Sequence, residues 1–362
     1  MTGLYIHIPF CKKKCPYCSF YSIEKCTVDI IKKYIDALIT ELTTEIKGHH
    51  INTIYIGGGT PSTIPVKLFE YLLLKLTKLI NFDNVKEFTV EINPESTTEE
   101  LINLFHSLGV NRISMGVQSF DDDVLYFLGR IHTSAIVYKA IEIILKFYCL
   151  EQISIDLIYD IPFVNEKKIF ESIKQAVSLE LTHLSAYNYT FESGFLKPFY
   201  LNYHEQMPHI IKYLKGKGYE QYEISNFCKN NNISKHNVKY WTMEEYIGIG
   251  ASAHSMVIEN YDRIRKENIT DINSYIENPL SNKIVHKVDM YESLKEDIIF
   301  GLRYLRGTNI YSYLNITYFE KIKNELDKLI LEDLVCQCKN TIKLTDKGII
   351  FYDTVAERLW EC

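Results

Sequence analysis

Apolar residues recur along the first half of the chain in two alternating rhythms. Short runs rich in isoleucine, valine and aromatic residues lie at Leu4–Pro9, Thr53–Ile56, Glu87–Ile92, Arg112–Gly116, Gln152–Leu157 and His183–Tyr189, each of strand length. Between them, Val28–Lys47, Lys67–Leu79, Thr98–Leu108, Ala135–Phe147 and Glu166–Leu179 place apolar residues three and four apart, the repeat of a helix with one buried face. Strands that alternate with helices imply a parallel sheet, closed or partly closed into a barrel. In such a sheet the functional residues gather at the C-terminal ends of the strands. The predicted class is α/β, a partial (β/α)6 barrel of TIM-like build followed by a small, mostly helical C-terminal domain. The division is expected near Ile269, giving a barrel with its extension over 1–269 and the small domain over 270–362. After a helical stretch at Tyr291–Leu305, Glu332-Asp-Leu-Val-Cys336, Thr341-Ile-Lys-Leu344 and Thr345-Asp-Lys-Gly348 suggest a helix, a short hairpin that holds Cys336 and Cys338, and a capped final helix.

Composition narrows the class of protein. With 362 residues, 46% of them hydrophobic, the chain can bury a large core. A net charge of −6 and a pI of about 6.0 lack the basic balance of a nucleic-acid-binding domain. The first strand begins so early that no signal or transit peptide is expected, and no run approaches the length of a membrane span. Nine cysteines without a pairing pattern fit a reducing cytoplasm, which is the expected location.

Three of those cysteines stand together in Cys11-Lys-Lys-Lys-Cys15-Pro-Tyr-Cys18, directly after the first apolar run. Three thiolates in so short a loop suit a [4Fe–4S] cluster, each holding one iron and leaving the fourth open to a ligand. Structural zinc takes four protein ligands, often as two close pairs, and no second pair follows at a suitable distance. A disulfide is the weaker reading, because the other six cysteines are scattered; Cys336 and Cys338 read as incidental thiols.

After the second strand comes Gly57-Gly58-Gly59-Thr60-Pro61-Ser62, where bare backbone lets a ligand approach closely. It lacks the Gly-Lys-Ser/Thr ending of a phosphate loop and the third glycine of a dinucleotide fingerprint. Gly248-Ile-Gly250-Ala-Ser-Ala253 has no clear βαβ frame late in the chain and reads as a turn. Glu91, Gln118, Arg130 and Asp156 fall at or just beyond strand ends, and a charge within an apolar strand must be paired or face a polar cavity. Singly each is explained by a structural ion pair. Together they would ring the barrel mouth beside the cysteine loop, with donors and acceptors suited to a zwitterionic, ribose-bearing ligand. Alternation along the first strand puts Tyr5 and His7 on one face, which is expected to look into the same mouth.

The cysteine loop, the Gly-Gly-Gly-Thr-Pro turn, Glu91-Ile-Asn-Pro94 and Asn111-Arg-Ile-Ser-Met-Gly-Val-Gln-Ser-Phe120 resemble the radical S-adenosylmethionine family. The resemblance covers most of the chain. It continues through Gln221–Phe227, His236-Asn-Val-Lys-Tyr-Trp241 and Ala253-His254-Ser255, and it points to the branch that holds both oxygen-independent coproporphyrinogen III oxidases and heme chaperones. It implies that Cys11, Cys15 and Cys18 ligate the cluster and that the open iron chelates S-adenosylmethionine. Tyr5, Tyr17, Gly58, Gly59, Thr60, Glu91, Gln118, Arg130 and Asp156 match positions that contact that cofactor in the family. It also implies an electron donor such as a flavodoxin or ferredoxin.

Two features resemble the chaperone rather than the oxidase. The cluster loop starts at Cys11, where the oxidase resemblance implies a preceding N-terminal arm, and Phe20 stands where the oxidase carries a further cysteine. The chaperone resemblance implies heme as a third cofactor, with His236 as its tentative axial ligand, and respiratory heme proteins as acceptors reached during brief visits to the membrane. The oxidase alternative would decarboxylate two porphyrinogen propionates, so the two readings divide on whether the chain is an enzyme. The chain departs from the branch pattern at Ser19, Asp160, Phe163-Val-Asn165 and Ala251-Ser-Ala253.

Overall fold

The computed structural model describes residues 1–189, 206–281, 283–313 and 318–362. Seventeen strands occur among them. They are β1 (Thr2–Ile8), β2 (Phe10–Cys11), β3 (Ile23–Glu24), β4 (Ile51–Gly58), β5 (Glu87–Ile92), β6 (Arg112–Gln118), β7 (Ile153–Tyr159), β8 (His183–Asn188), β9 (Glu220–Gln221), β10 (Asn226–Cys228), β11 (Tyr246–Ile249), β12 (His254–Glu259), β13 (Asp262–Glu267), β14 (Ile284–Val288), β15 (Thr308–Asn309), β16 (Val335–Cys338) and β17 (Thr341–Leu344). The helices are α1 (Val28–Glu45), α2 (Val66–Leu79), α3 (Glu99–Ser107), α4 (Asp122–Phe127), α5 (Ser134–Ile144), α6 (Glu166–Ser178), α7 (Met207–Gly216), α8 (Lys235–Trp241), α9 (Ile272–Glu277), α10 (Met290–Arg303), α11 (Phe319–Leu331), α12 (Asp346–Ile350) and α13 (Tyr352–Trp360).

Six parallel strands, β1 and β4 to β8, lie side by side in chain order, each linked to the next through helix. This is the expected partial (β/α)6 barrel. The helices start where the sequence caps them: Thr27 accepts from the Ile30 N–H, Thr98 from Leu101 and Asp121 from Val124. Their apolar stripes pack on the sheet, with Leu38, Leu72, Phe105, Ile141 and Ile173 buried. β1 also pairs in parallel with β11, and the antiparallel strands β12, β13 and β14 extend that edge. Of the run Gly248–Ala253, read as a turn, Gly248 and Ile249 end β11, and the turn follows from Gly250, whose φ is +107°.

Register sets the chemistry at the mouth. Glu91 lies beside Ser114, Gly116 beside Asp156, and Asp156 beside Ser185, while an irregularity between Gly116 and Gln118 turns the end of β6. Gln118 has φ +67°, a left-handed conformation uncommon outside glycine.

Past the expected division near Ile269, Ile272 and Tyr275 still pack into the first core, and β14 still extends the first sheet. A second core begins at Leu294 and gathers α10, α11, α13 and the hairpin β16–β17. It is bound to the sheet extension by a partly buried charge network: Arg263 Nη1 and Arg265 Nε donate to Glu296 at 2.9 and 2.6 Å. No helix among the described residues is long and apolar enough to cross a membrane.

Candidate cofactor site

The C-terminal strand ends open into a cavity of about 450 Å³. Cys11, Cys15, Cys18 and Tyr17 line one wall, and Gly58, Gly59 and Thr60 lie alongside. Glu91, Gln118, Arg130 and Asp156 face the same space, while Arg303, Tyr352 and Asp353 of the C-terminal region border it too. Eleven of the side chains and glycines expected at the cofactor wall therefore meet here only through tertiary folding. Tyr5 does not line the cavity. It is half-buried, with its hydroxyl 2.9 Å from His7 Nδ1. His7 Nε2 donates to the Tyr21 carbonyl at 2.9 Å, so the Tyr5 hydroxyl donates to Nδ1, and burial lowers the His7 pKa to about 4. The alternation did place both residues on one face, but they support the floor of the site.

The cysteine loop is clamped at its base by the parallel pair β2 and β3, and the Lys14 N–H donates to the Glu24 carboxylate. Glycine is required behind it. A Cβ on Gly59 would stand 2.8 Å from the Pro9 carbonyl carbon and 3.0 Å from Cys11 Sγ, and one on Gly58, at φ +116°, would strike the His7 ring at 2.6 Å. Gly59→Ala is expected to push the loop outward, lower iron content on reconstitution and cost about 1–3 kcal/mol of stability; iron assay and thermal unfolding check this.

All nine cysteines are free thiols. Among the described residues no group of three or more His, Cys, Asp or Glu side chains is arranged to hold a single metal ion. A [4Fe–4S] cluster asks for something else, three thiolates spread over three irons. Three cysteines on one cavity wall meet that demand, with Cys15 close enough to contribute to raising the thiols of Cys11 and Cys18. Burial is the larger cause that raises the Cys11 and Cys18 thiols, and metal binding displaces such protons.

Two partly buried carboxylates also line the cavity. Glu91 Oε1 accepts from the Tyr55 hydroxyl at 2.7 Å and Oε2 from the Gly58 N–H at 3.1 Å. Burial nevertheless pushes Glu91 up to about 7, and burial likewise pushes Asp156 up to about 6 against the lowering effect of Ser185, Ser114, Arg112 and Arg130. Two carboxylates pushed up by burial at a cavity wall are candidates for ligand binding. They suit hydroxyl and ammonium donors of a nucleoside amino acid.

Arg130 joins the two walls. Its Nη1 donates to Cys15 Sγ at 3.7 Å and its Nη2 to the Gly116 carbonyl at 2.8 Å, while its buried Nε has no hydrogen-bond partner among the described residues. A buried donor without a partner is what a ligand acceptor satisfies. Two further residues hold this corner. Glu95 Oε2 lies 4.0 Å from Arg130 Nη2 and 3.1 Å from His132 Nδ1, and His132 Nε2 donates to the Val117 carbonyl at 3.2 Å. Asn93 adds a bond from Nδ2 to Thr60 Oγ1 at 3.0 Å, which itself lies 3.4 Å from Cys11 Sγ. Glu95 and His132 stood in the sequence within five residues of Glu91 and Arg130, their sole signal, and no spacing rule links them.

The model of the Radical SAM superfamily matches residues 5–176, the stretch that carries the cysteine loop and five of the six barrel strands. Curated relatives extend the likeness to both ends. Heme chaperone HemW of Lactococcus lactis is 33% identical over 374 residues, spanning 99% of this chain and 97% of that protein. HemW of Bacillus subtilis is 32% identical over 379 residues, spanning 96% of each. The chain belongs to the radical SAM superfamily and, within it, to the HemW family. Membership implies a [4Fe–4S] cluster and S-adenosylmethionine, and the donor set of the cavity fits both. The solved coproporphyrinogen III oxidase HemN of Escherichia coli has a TM-score of 0.83 at 20% identity, over 99% of this chain and 89% of that one. At that identity it shows the fold.

One expected ligand of this HemW-family chain is placed elsewhere. His236 is fully buried in α8, at the opposite end of the barrel from the cysteine loop. Its Nδ1 lies 2.9 Å from Thr53 Oγ1, its Nε2 lies 2.8 Å from the Tyr240 hydroxyl, and its backbone N–H donates to Glu87 Oε1 at 2.8 Å. Thr53 and Glu87 begin β4 and β5, and Gly3 of β1 also meets the ring. The helix thus plugs the N-terminal mouth of the barrel. Both ring nitrogens are engaged, and burial lowers the pKa to about 3, so the ring is neutral. In this arrangement the helix is a plug, and axial ligation of a heme by His236 would require α8 to leave the barrel. His236→Ala is expected to strand Thr53 and Tyr240 and to destabilise the protein by about 2–4 kcal/mol with unchanged cluster content. Denaturant unfolding and iron assay measure the two effects.

Proposed function

We propose that the protein is a heme chaperone that binds heme and delivers it to respiratory heme proteins, using a [4Fe–4S] cluster and S-adenosylmethionine as resident cofactors. The observation that carries this reading is likeness along the whole chain, at 33% identity, to a protein named as a heme chaperone. Phe20, 64% exposed beside the cysteine loop, supports it where the oxidase resemblance calls for a further thiol.

Within this reading Cys11, Cys15 and Cys18 hold the cluster. Gly58, Gly59 and Thr60 present backbone and hydroxyl to the methionyl end of S-adenosylmethionine, and Glu91, Gln118, Arg130 and Asp156 offer partners to its charged and ribose groups. Bound there, the cluster supplies a low-potential electron and an open iron for chelation. The chain's own residues do the positioning: Glu91 and Asp156 present acceptors, Arg130 presents donors, and the C-terminal region narrows the mouth against water. The electron comes from an external donor of the flavodoxin or ferredoxin kind, and delivery takes place in the cytoplasm and at the membrane surface.

Heme titration of the anaerobically reconstituted protein, followed by the Soret band, tests the proposal. Saturable, near-stoichiometric binding is expected, and His236→Ala should retain it if α8 stays in the barrel. Absence of specific binding, with consumption of coproporphyrinogen III, would replace the chaperone by the oxidase.

A further inference from the structure

We infer that Arg130 and Glu95 set the reduction potential of the cluster held by Cys15 in opposite directions, with His132 fixing Glu95 in place. The inference rests on the cluster reading of the cysteine loop and adds to it a role for two residues outside every motif. Arg130 follows the glycine that ends α4, and its guanidinium, 7% exposed, lies between Cys15 Sγ at 3.7 Å and the Gly116 carbonyl at 2.8 Å. That carbonyl anchor on β6 holds the fork whether or not a ligand occupies Nε.

Behind the guanidinium stands a carboxylate that is itself pinned. Glu95 sits in the turn after β5, its side chain 11% exposed, with Oε2 4.0 Å from Arg130 Nη2 and 3.1 Å from His132 Nδ1. The His132 side chain is wholly buried and bound at its far nitrogen to the Val117 carbonyl. Burial alone would raise the Glu95 carboxyl, but the His132 hydrogen bond and the Arg130 charge outweigh it and hold the carboxyl below its ordinary range. Glu95 is thus an ionised group a single residue removed from a cluster ligand.

A cationic N–H directed at a ligating sulfur favours the more negative, reduced cluster and so raises its potential. A buried carboxylate behind that cation opposes it, because charges at such separations interact strongly where water is scarce. Arg130 therefore raises the potential and Glu95 restrains it. On reduction one electron enters the cluster from the external donor, and no bond is made or broken. A purely structural ion pair would cost stability when cut from either side. It would not move a potential up from one side and down from the other.

The test is an EPR-monitored redox titration of the reconstituted cluster with dithionite in wild type, Arg130→Gln and Glu95→Gln, alongside iron content and thermal unfolding. Arg130→Gln should lower the reduced-to-oxidised ratio at a fixed potential at least tenfold, about 59 mV for one electron. The isosteric Glu95→Gln should raise it in the opposite sense. Potentials that stay put in both variants, or that move the same way, would overturn the inference while leaving the cluster reading intact. A wild type that binds no iron and sulfide would instead remove the cluster reading beneath it. If Arg130→Gln fails to load its cluster, the upward shift in Glu95→Gln alone carries the decision.

Discussion

Cys15→Ala is expected to abolish the cluster outright. The broad brown absorbance of the anaerobically reconstituted protein should vanish, with iron and sulfide falling to background. Cys15 is the buried member of the three, 8% exposed, and the one that Arg130 reaches. Two remaining thiolates cannot hold three irons. Because the fold is built on an apolar core that does not include the cluster, far-UV circular dichroism should be unchanged. Full iron and sulfide content in the variant would contradict the assignment of the loop.

Glu91→Gln is expected to act in two directions at once. S-adenosylmethionine affinity should fall about 10–100-fold, the value of one charge-assisted hydrogen bond, while stability at pH 8 should rise by about 1–2 kcal/mol. The sign follows from linkage. Glu91 titrates near 7 in the folded protein against 4.5 for a free side chain, so between those values the folded state holds a proton that the unfolded chain has released. Stability contributed by the neutral carboxyl is present below about pH 4.5 and is lost as pH rises to 7, reaching an order of 3 kcal/mol before the lost hydrogen bonds are counted. Glutamine removes that loss, so the gain should appear at pH 8 and disappear near pH 5. The same titration predicts that wild-type affinity for S-adenosylmethionine weakens as pH falls below 7. Calorimetric titration and thermal unfolding at both pH values measure these effects. An affinity unaltered by the substitution would remove Glu91 from the site.

The barrel was legible because its strands are apolar on both faces and its helices on one, so period alone located five of the helices and six of the strands to within a few residues. The cysteine loop was legible because the chemistry of three thiolates is carried by local spacing. What escaped depends on partners far away in sequence. β13 reads Asp262-Arg-Ile-Arg-Lys-Glu267, too charged for a strand until Glu296 and Asp297 of α10 are seen to neutralise Arg263 and Arg265. β11 is four residues long and holds a glycine, so it had the look of a turn. Glu95 and His132 acquire their role from a contact with each other across a fold. His236 shows the reverse case. A histidine followed by tyrosine and tryptophan offers the chemistry of a heme pocket in one dimension, whereas in three dimensions its ring is used up by Thr53 and Tyr240.

Heme transfer measures the central claim most directly. The reconstituted protein, loaded with one equivalent of heme and separated from the excess, would be mixed with the heme-free form of a respiratory heme protein, and the Soret bands of donor and acceptor followed together. The account predicts that heme leaves this protein and appears in the acceptor in equal amount, without consumption of coproporphyrinogen III in a parallel assay. Heme retained by the donor, together with conversion of coproporphyrinogen III, would contradict it.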